Sequence, residues 1–393
     1  MLKSYRAKML TALLLTISIE GVTKEAELKA PRVSPEEKAV SFWDMKPLET
    51  AFINPAPETL KDNLTVAKLS IDDGNKTRII EFANELAENK YGKYDSLLIS
   101  HKGQLVFESY FNNGRIDLPH FQFSATKAYT SLIVARAMQL GYLSMADLHK
   151  PLVNFFDDLA TSKLAAGAEL VTLHNVLSMN SGLRFSDEDL KDFRENREKY
   201  SGTAQIQAFF EKTQPINKQS QKYMYQAPDP ILVMHVINAV VPGTAKEFIE
   251  KEFFNKMGIT NYKWKLDPKG IPVAESGADL TSRDMLKIGH MLAKKGNLNN
   301  QEFLSEAYLK TAFSAIAKPT ESWIPESFNF GYFWYQSDIV LNNKNYNVNF
   351  AWGAGGNRII IVNDLDLVIA ITGHDREDVI FDQITKQVLP AFL

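Results

Sequence analysis

Two residues whose types and spacing suit chemistry, Ser124 and Lys127, lie three positions apart in the segment SATKAYTSLIVARAMQL. On a helix, residues three apart are neighbours on one face, so both side chains would share the first turn. The positive end of the helix dipole and burial both disfavour a protonated amine at this place. A serine beside such an amine is an activated nucleophile, and the N–H groups of a first turn can stabilise an oxyanion. The pair therefore predicts acyl-transfer chemistry on Ser124.

The helix that would carry this pair runs from Ser124 to Leu140 and ends at Gly141. After Lys127 its only charge is Arg136, so the helix is apolar nearly all round and is predicted to be buried. The alternative is that Ser124 only caps the helix while Lys127 extends to solvent. Because Ser-x-x-Lys is a weak pattern by itself, the buried setting is what favours the catalytic interpretation.

The same element belongs to a series of segments that resembles the serine β-lactamase and penicillin-binding-protein-like superfamily. Within that superfamily, the segments most resemble the branch of class C β-lactamases, esterases and aminohexanoate-oligomer hydrolases. The resemblance covers residues 96 to 393, approximately. The segments are Ser124-Ala125-Thr126-Lys127, VTLHNVLSMNSGLRF from Val171, YMYQAPDPILVMHVI with Tyr225, GADLTSRDMLKIGHM from Gly277, GYFWYQ from Gly331 and WGAGGNRIIIVNDLDLVIAITG from Trp352.

The resemblance implies a mechanism in which Ser124 attacks a carbonyl and forms an acyl-enzyme. Lys127 and Tyr225 would share the removal of the serine proton, since a phenol beside a lysine can act as a base. Tyr223 is the competing assignment for the tyrosine. Tyr225 is preferred because the apolar run after it fits the family's spacing.

The resemblance also implies an oxyanion site between the Ser124 N–H and a backbone N–H that follows the family's third motif. If that motif is Trp352-Gly353-Ala354, the second donor is Gly355, with Ala354 as the alternative. Small residues suit a place where a substrate carbonyl approaches the backbone, although the glycines also fit a plain tight turn. Trp352, Gly356 and Trp334 are the predicted substrate-binding residues; core packing is the alternative for the tryptophans.

Two departures from the family limit the predicted substrate. Ala227 stands where antibiotic-hydrolysing members have an asparagine that binds the substrate amide, and a methyl group cannot make that bond. Trp352 stands where the third motif usually has Lys or His; Arg358 is the nearest cation downstream. We therefore expect cleavage of a carboxylic ester or small amide rather than efficient β-lactam hydrolysis. β-Lactamase or D-alanyl-D-alanine carboxypeptidase activity is the alternative, and a non-catalytic ligand-binding protein is the alternative from another class.

The histidines and cysteines offer no competing chemistry. There is no cysteine, and none of the seven histidines forms an H-x-x-x-H or H-E-x-x-H spacing, so no metal or other cofactor is predicted. G-x-S-x-G is missing as well, which disfavours a Ser-His-Asp triad of the α/β-hydrolase type. His374 follows the last predicted strand and could approach the site; a structural role is the default for it.

Composition places the 393-residue chain among ordinary globular proteins, with 44 basic and 47 acidic side chains and a formal charge of −3. This balance argues against nucleic acid as a partner. The family resemblance implies a small-molecule substrate, namely an ester, an amide or a peptide-like compound. Lys3, Arg6 and Lys8 precede a short apolar run from Met9 to Ile19, which fits an export signal at 1–21 better than a membrane span. We expect an exported, periplasmic protein; a buried N-terminal helix is the alternative.

Strand-like segments near both ends of the chain flank a mainly helical middle. This order predicts an α+β fold in which one antiparallel sheet is built from about 96–123 and 330–393, with a helical lobe at about 124–292. A Pro-rich arm at 22–60 is expected to precede this catalytic domain, which spans 61–393.

Overall fold

A computed structural model describes residues 29–70, 75–375 and 378–393. The predicted export signal at 1–21 lies outside them. In the described residues, the main sheet has eight antiparallel strands in the order β1-β3-β2-β13-β12-β11-β10-β9. The strands of the whole fold are β1 (Phe52–Asn54), β2 (Tyr94–His101), β3 (Gln104–Tyr110), β4 (His120–Phe121), β5 (Lys263–Trp264), β6 (Ala278–Leu280), β7 (Asn297–Leu298), β8 (Gln301–Glu302), β9 (Asn329–Phe330), β10 (Tyr335–Leu341), β11 (Lys344–Gly353), β12 (Asn357–Val362) and β13 (Leu367–Gly373).

Pairing of β2 with β13 joins the two ends of the chain at the centre of the sheet. Both strands are buried along their whole length because helices cover the sheet on both faces. The α+β prediction is confirmed. The helices are α1 (Lys76–Ala87), α2 (Ala125–Gln139), α3 (Leu173–Leu177), α4 (Asp187–Glu195), α5 (Thr203–Lys212), α6 (Pro228–Val240), α7 (Ala245–Phe248), α8 (Ser282–Ala293), α9 (Glu306–Ala312) and α10 (Ile380–Gln387).

Side-chain alternation along β11 shows which helices cover which face. Phe350 points toward α10, where its ring lies 4.5 Å from that of Phe381. Gly353, of opposite parity, points toward α2: a Cβ on it would lie only 3.2 Å from the Ala125 nitrogen. Because glycine has no side chain, the end of β11 can approach the first turn of α2.

Helix α2 is buried at every position from Ala125 to Met138, as its apolar sequence predicts. It packs against α6 of the helical lobe and against β11 of the sheet. Helix α8 crosses the same face beside it, and Gly289 allows the close approach, since a Cβ there would lie 2.4 Å from Val368. The first turn of α2 is thus held between the lobe and the sheet.

The Pro-rich arm is part of the fold in its described portion. Its residues 52–54 form β1 and pair with β3 at the sheet edge, with Phe52 buried. Nearer the start of the arm, Phe42 is buried while its neighbour Trp43 is 58% exposed. No helix in the described residues is both long and apolar enough to cross a bilayer.

Candidate active site

Ser124 sits at the N-terminus of α2, directly after a residue in a rare backbone conformation. Phe123 has φ of 46°, in the left-handed region that non-glycine residues seldom adopt and that is enriched at functional sites. Although Ser124 occupies the N-cap position, its side chain makes no capping hydrogen bond. Its backbone N–H has no acceptor in the described part of the chain. The hydroxyl is therefore available for chemistry rather than used to cap the helix.

Lys127 lies beside that hydroxyl, as its spacing predicts. Its Nζ donates to Ser124 Oγ at 3.1 Å and to the backbone oxygen of Glu275 at 2.8 Å, and the residue is only 6% exposed. Burial raises the pKa of the Glu275 carboxyl, which favours its neutral form. The lysine is thus held by a backbone carbonyl and aimed at the serine.

Tyr225 lines the same cavity as Ser124, and the centroid of its ring lies 4.8 Å from Lys127 Nζ. Its backbone N–H donates to Glu321 Oε1 at 2.7 Å, and its ring packs edge-on against Trp323. Tyr223 points elsewhere: it is buried against Phe330, and burial raises the pKa of its phenol far above the ordinary value. Of the two tyrosines, the structure brings only Tyr225 to Lys127 and Ser124.

The turn between β11 and β12 forms the opposite wall. Ala354 and Gly355 line the same cavity as Ser124. Gly355 has φ of +79°, and a Cβ on it would lie 2.6 Å from the Gly373 oxygen. Gly356, with φ of +93°, lies behind the turn, where a Cβ would meet the Tyr94 ring at 2.4 Å. The structure therefore gives Gly356 a packing role and leaves Ala354 and Gly355 next to the cavity.

The cavity at Ser124 has a volume of about 710 Å³ and mostly aromatic walls. Trp352 is among them, whereas Trp334 is fully buried against Phe313 and does not line it. Trp334 precedes β10 in an irregular segment, so its neighbour Tyr335 faces the cavity instead. The lining residues are Trp43, Phe123, Ser124, Tyr225, Trp323, Tyr335, Trp352, Ala354, Gly355, His374, Asp375 and Asp378.

Arg358 does not replace the cation that the third motif lacks. It is 1% exposed and pairs with Asp378, whose Oδ2 also accepts from Trp352 Nε1 at 2.9 Å. Its guanidinium lies 4.6 Å from the Trp352 ring centroid. Ala227, at the position of the family's asparagine, lines a separate cavity of about 230 Å³. Neither position offers the Ser124 cavity a group for binding a substrate amide or carboxylate.

The sequence alone favours a structural role for His374. His374 faces the cavity, and its Nδ1 lies 2.7 Å from Asp95 Oδ2. The same oxygen lies 2.9 Å from His120 Nε2. Burial opposes ionisation of Asp95, but the hydrogen bonds of the two histidines outweigh it and hold the pKa of the carboxyl below its usual value. Since these residues come from β2, β4 and the end of β13, no local motif could reveal them.

Comparisons with known proteins agree with this architecture. No curated protein matches the sequence. Among solved structures, a Bacillus anthracis protein assigned provisionally as a 6-aminohexanoate-dimer hydrolase superposes with a TM-score of 0.61 at 17% identity, covering 86% of this chain and 88% of the other. A class C β-lactamase gives 0.58 at 14% identity, with 81% and 94% covered.

A D-stereospecific amidohydrolase from Streptomyces sp. also gives a TM-score of 0.58, at 13% identity, with 78% of this chain and 97% of that chain covered. At these identities the likenesses show the fold alone. The Beta-lactamase family model, however, matches residues 94–383, which include β2, α2 and the β11–β12 turn. The chain therefore belongs to the Beta-lactamase family, whose members are serine hydrolases.

Proposed function

We propose that this protein hydrolyses carboxylic esters or small amides through an acyl-enzyme on Ser124. The observation that carries the proposal is the hydrogen bond between Lys127 Nζ and a Ser124 hydroxyl that does not cap its helix. A nucleophile within hydrogen-bond reach of a base is the arrangement that covalent catalysis requires.

In the first step, the Ser124 hydroxyl proton passes to the Lys127 amine while Oγ attacks the substrate carbonyl carbon. Tyr225, whose ring centroid lies 4.8 Å from Lys127 Nζ, relays the proton to the leaving group. The carbonyl oxygen becomes an oxyanion, which the N–H groups of Ser124 and Gly355 bind, with Ala354 as the alternative second donor. Collapse of this intermediate breaks the bond to the leaving alcohol or amine, which departs with the proton. Water then cleaves the acyl-enzyme and releases the acid.

The walls of the cavity support an ester or small amide with an apolar group. Six of the lining side chains are aromatic, namely Trp43, Phe123, Tyr225, Trp323, Tyr335 and Trp352. Arg358 is neutralised by Asp378, and Ala227 lies outside this cavity. Because the positions of the family's asparagine and third-motif cation offer the substrate no polar partner, the aromatic walls favour small apolar acyl groups.

A fluorophosphonate probe and a panel of p-nitrophenyl esters, small anilides and a chromogenic cephalosporin test the proposal. We expect the probe to label Ser124 and ester turnover to exceed cephalosporin turnover. Ser124→Ala should abolish both labelling and turnover, whereas Ser314→Ala, which changes an exposed serine, should affect neither. Labelling or ester turnover that survives Ser124→Ala would overturn the assignment; saturable binding without turnover would favour a binding protein.

A further inference from the structure

The cluster of Asp95, His120 and His374 is built around one carboxylate. Asp95 is fully buried, and its Oδ1 accepts the Asn113 N–H at 3.0 Å. Its Oδ2 lies 2.9 Å from His120 Nε2 and 2.7 Å from His374 Nδ1. One carboxylate oxygen therefore orients two imidazoles.

The shared carboxylate determines which nitrogen of each ring donates. Asp95 Oδ2 can only accept, so His120 donates to it from Nε2 and His374 donates to it from Nδ1. The other ring nitrogen of His120, Nδ1, lies 3.0 Å from the Phe121 backbone oxygen. His374 makes its hydrogen bond as the tautomer with hydrogen on Nδ1.

In that tautomer, Nε2 of His374 carries a lone pair. The atom has no hydrogen-bond partner in the described ranges, and the side chain is 13% exposed at the cavity that contains Ser124. Phe42 and Trp43 hold the ring edge-on, at centroid distances of 5.4 and 6.0 Å. The imidazole is therefore fixed from behind and open toward the cavity.

His374 also lies next to the turn between β11 and β12 that contains Gly355. A Cβ on Gly355 would lie 3.1 Å from His374 Cα, so the histidine adjoins the backbone that flanks the reacting carbonyl. Lys127 instead contacts Ser124 Oγ from the first turn of α2. The two basic groups thus belong to different elements of the fold.

We propose that His374 is the general base of deacylation, removing a proton from the water that hydrolyses the acyl-enzyme. This inference rests on the proposed function, because it requires an acyl group on Ser124. A histidine whose Nδ1–H is held by a carboxylate presents Nε2 as a base, which is the logic of Asp–His pairs in hydrolases generally.

The step balances in protons and electrons. Water gives one proton to His374 Nε2 while its oxygen bonds to the acyl carbon, and the carbonyl oxygen becomes the oxyanion. Collapse breaks the bond between Ser124 Oγ and carbon, and the proton held by His374 passes to Ser124 Oγ. The carboxylic acid product leaves, and Ser124, Lys127 and His374 are then in the protonation states they had before the reaction.

His374→Gln tests the proposal in the full-length protein with p-nitrophenyl acetate. We expect the first turnover, seen as a burst of p-nitrophenol, to keep its rate, while steady-state turnover falls about 100-fold. Acetylated Ser124 should accumulate and be visible in intact-protein mass spectra after an acid quench. Hydroxylamine, a nucleophile that needs no base, should restore steady-state release. His149→Gln, the same change at an exposed histidine, should alter none of these readouts.

Each contrary result has a distinct meaning. Equal losses of the burst rate and the steady-state rate, without rescue by hydroxylamine, would overturn the role of His374 and indicate a structural one. If His374→Gln does not fold, His374→Asn keeps an amide N–H for Asp95 and takes its place. Turnover that survives Ser124→Ala would defeat the proposed function itself.

The cluster could instead bind a metal ion, because its three donor atoms lie within 4.8 Å of one another. A bound metal would occupy the lone pairs that the proposal assigns to hydrogen bonds and to water activation. Zinc at one equivalent per chain in the purified wild type, lost in His374→Gln, would therefore overturn the proposal. Full activity after exhaustive chelation supports it.

Discussion

The two basic side chains that flank the Ser124 cavity reach it by opposite routes. Lys127 is three residues from Ser124 on one helical turn and is held by a backbone carbonyl. His374 is held by Asp95, which lies 279 positions earlier in the chain. The difference teaches that the proposed base for acylation lies beside Ser124 through the spacing of one helical turn, whereas the proposed base for deacylation depends on the pairing of distant strands.

The largest expected effect sharpens the local side of this comparison. Lys127→Met removes the amine beside Ser124, and we expect the acylation rate to fall about 10³- to 10⁴-fold, because no base remains in contact with Oγ. Rapid-quench measurement of the p-nitrophenol burst checks this. Lys222→Met, at an exposed lysine, is the control; a normal burst in Lys127→Met would remove the lysine from the mechanism.

A second prediction concerns the turn that both basic groups adjoin. Gly355→Ala introduces a methyl group 2.6 Å from the Gly373 oxygen at a φ of +79°, so the turn must shift. We expect kcat to fall about 10²-fold through a displaced oxyanion donor and the free energy of unfolding to fall by about 1–3 kcal/mol.

Gly270→Ala is the matched control for that variant. Its φ of +83° carries similar strain, but nothing lies within 4 Å of the added methyl group. Urea denaturation and ester kinetics on both variants separate the effect of backbone strain at positive φ from the effect of moving the turn at the cavity. If both lose activity equally, Gly355 has no special place in the site.

A third prediction concerns two histidines, His290 and His235, that are buried away from the Ser124 cavity. Burial lowers the pKa of His290 and of His235 to about 4 in each case. An unfolded histidine titrates near 6.5, so between pH 6.5 and 4 the unfolded chain binds protons that the folded chain does not. The free energy of unfolding should therefore fall on acidification, by on the order of 3 kcal/mol per histidine over this window.

Chemical denaturation at a series of pH values measures that slope. His290→Gln should reduce the slope between pH 6.5 and 4, even though it also removes the hydrogen bond with Ser100 and lowers stability overall. His235→Gln should reduce the slope over the same window, because burial lowers the pKa of His235 in the same way. Equal slopes in wild type and His290→Gln would contradict the assignment.

The smallest expected effect concerns the arm. Trp43 is 58% exposed at the cavity, so Trp43→Ala should change the free energy of unfolding by less than about 0.5 kcal/mol. Loss of one aromatic contact, about 0.5–1.5 kcal/mol, should raise KM roughly 2- to 10-fold for esters with an aromatic acyl group. KM for acetate esters should stay the same. Tyr142→Ala, in the helical lobe, is the control; an equal change for both esters would contradict a specificity role.

Local patterns in the sequence predicted several features well. The apolar run after Lys127 predicted a buried helix, and strand-like segments at both ends predicted a sheet built from both termini. These features depend on periodicity and on short-range spacing, which a sequence displays directly.

Other features depend on contacts that a sequence does not display. In GAGG, Gly355 lies at the cavity and Gly356 behind it only because one meets Gly373 and the other Tyr94. Trp334, predicted to bind substrate, is buried instead, whereas Tyr335 lines the cavity; Phe333, with φ of 62°, turns the chain just before β10 begins. The Asp95 cluster is wholly non-local.

The pairing of β2 with β13 determines when the site can form during synthesis on the ribosome. Residues 94–101 leave the ribosome long before 367–373, and until the later strand pairs, neither the Gly355 turn nor His374 can reach Ser124. Contacts so distant in sequence form late in folding. A nascent or truncated chain would therefore carry Ser124 and Lys127 but no complete site, so hydrolytic activity should begin only after the last strand is synthesised.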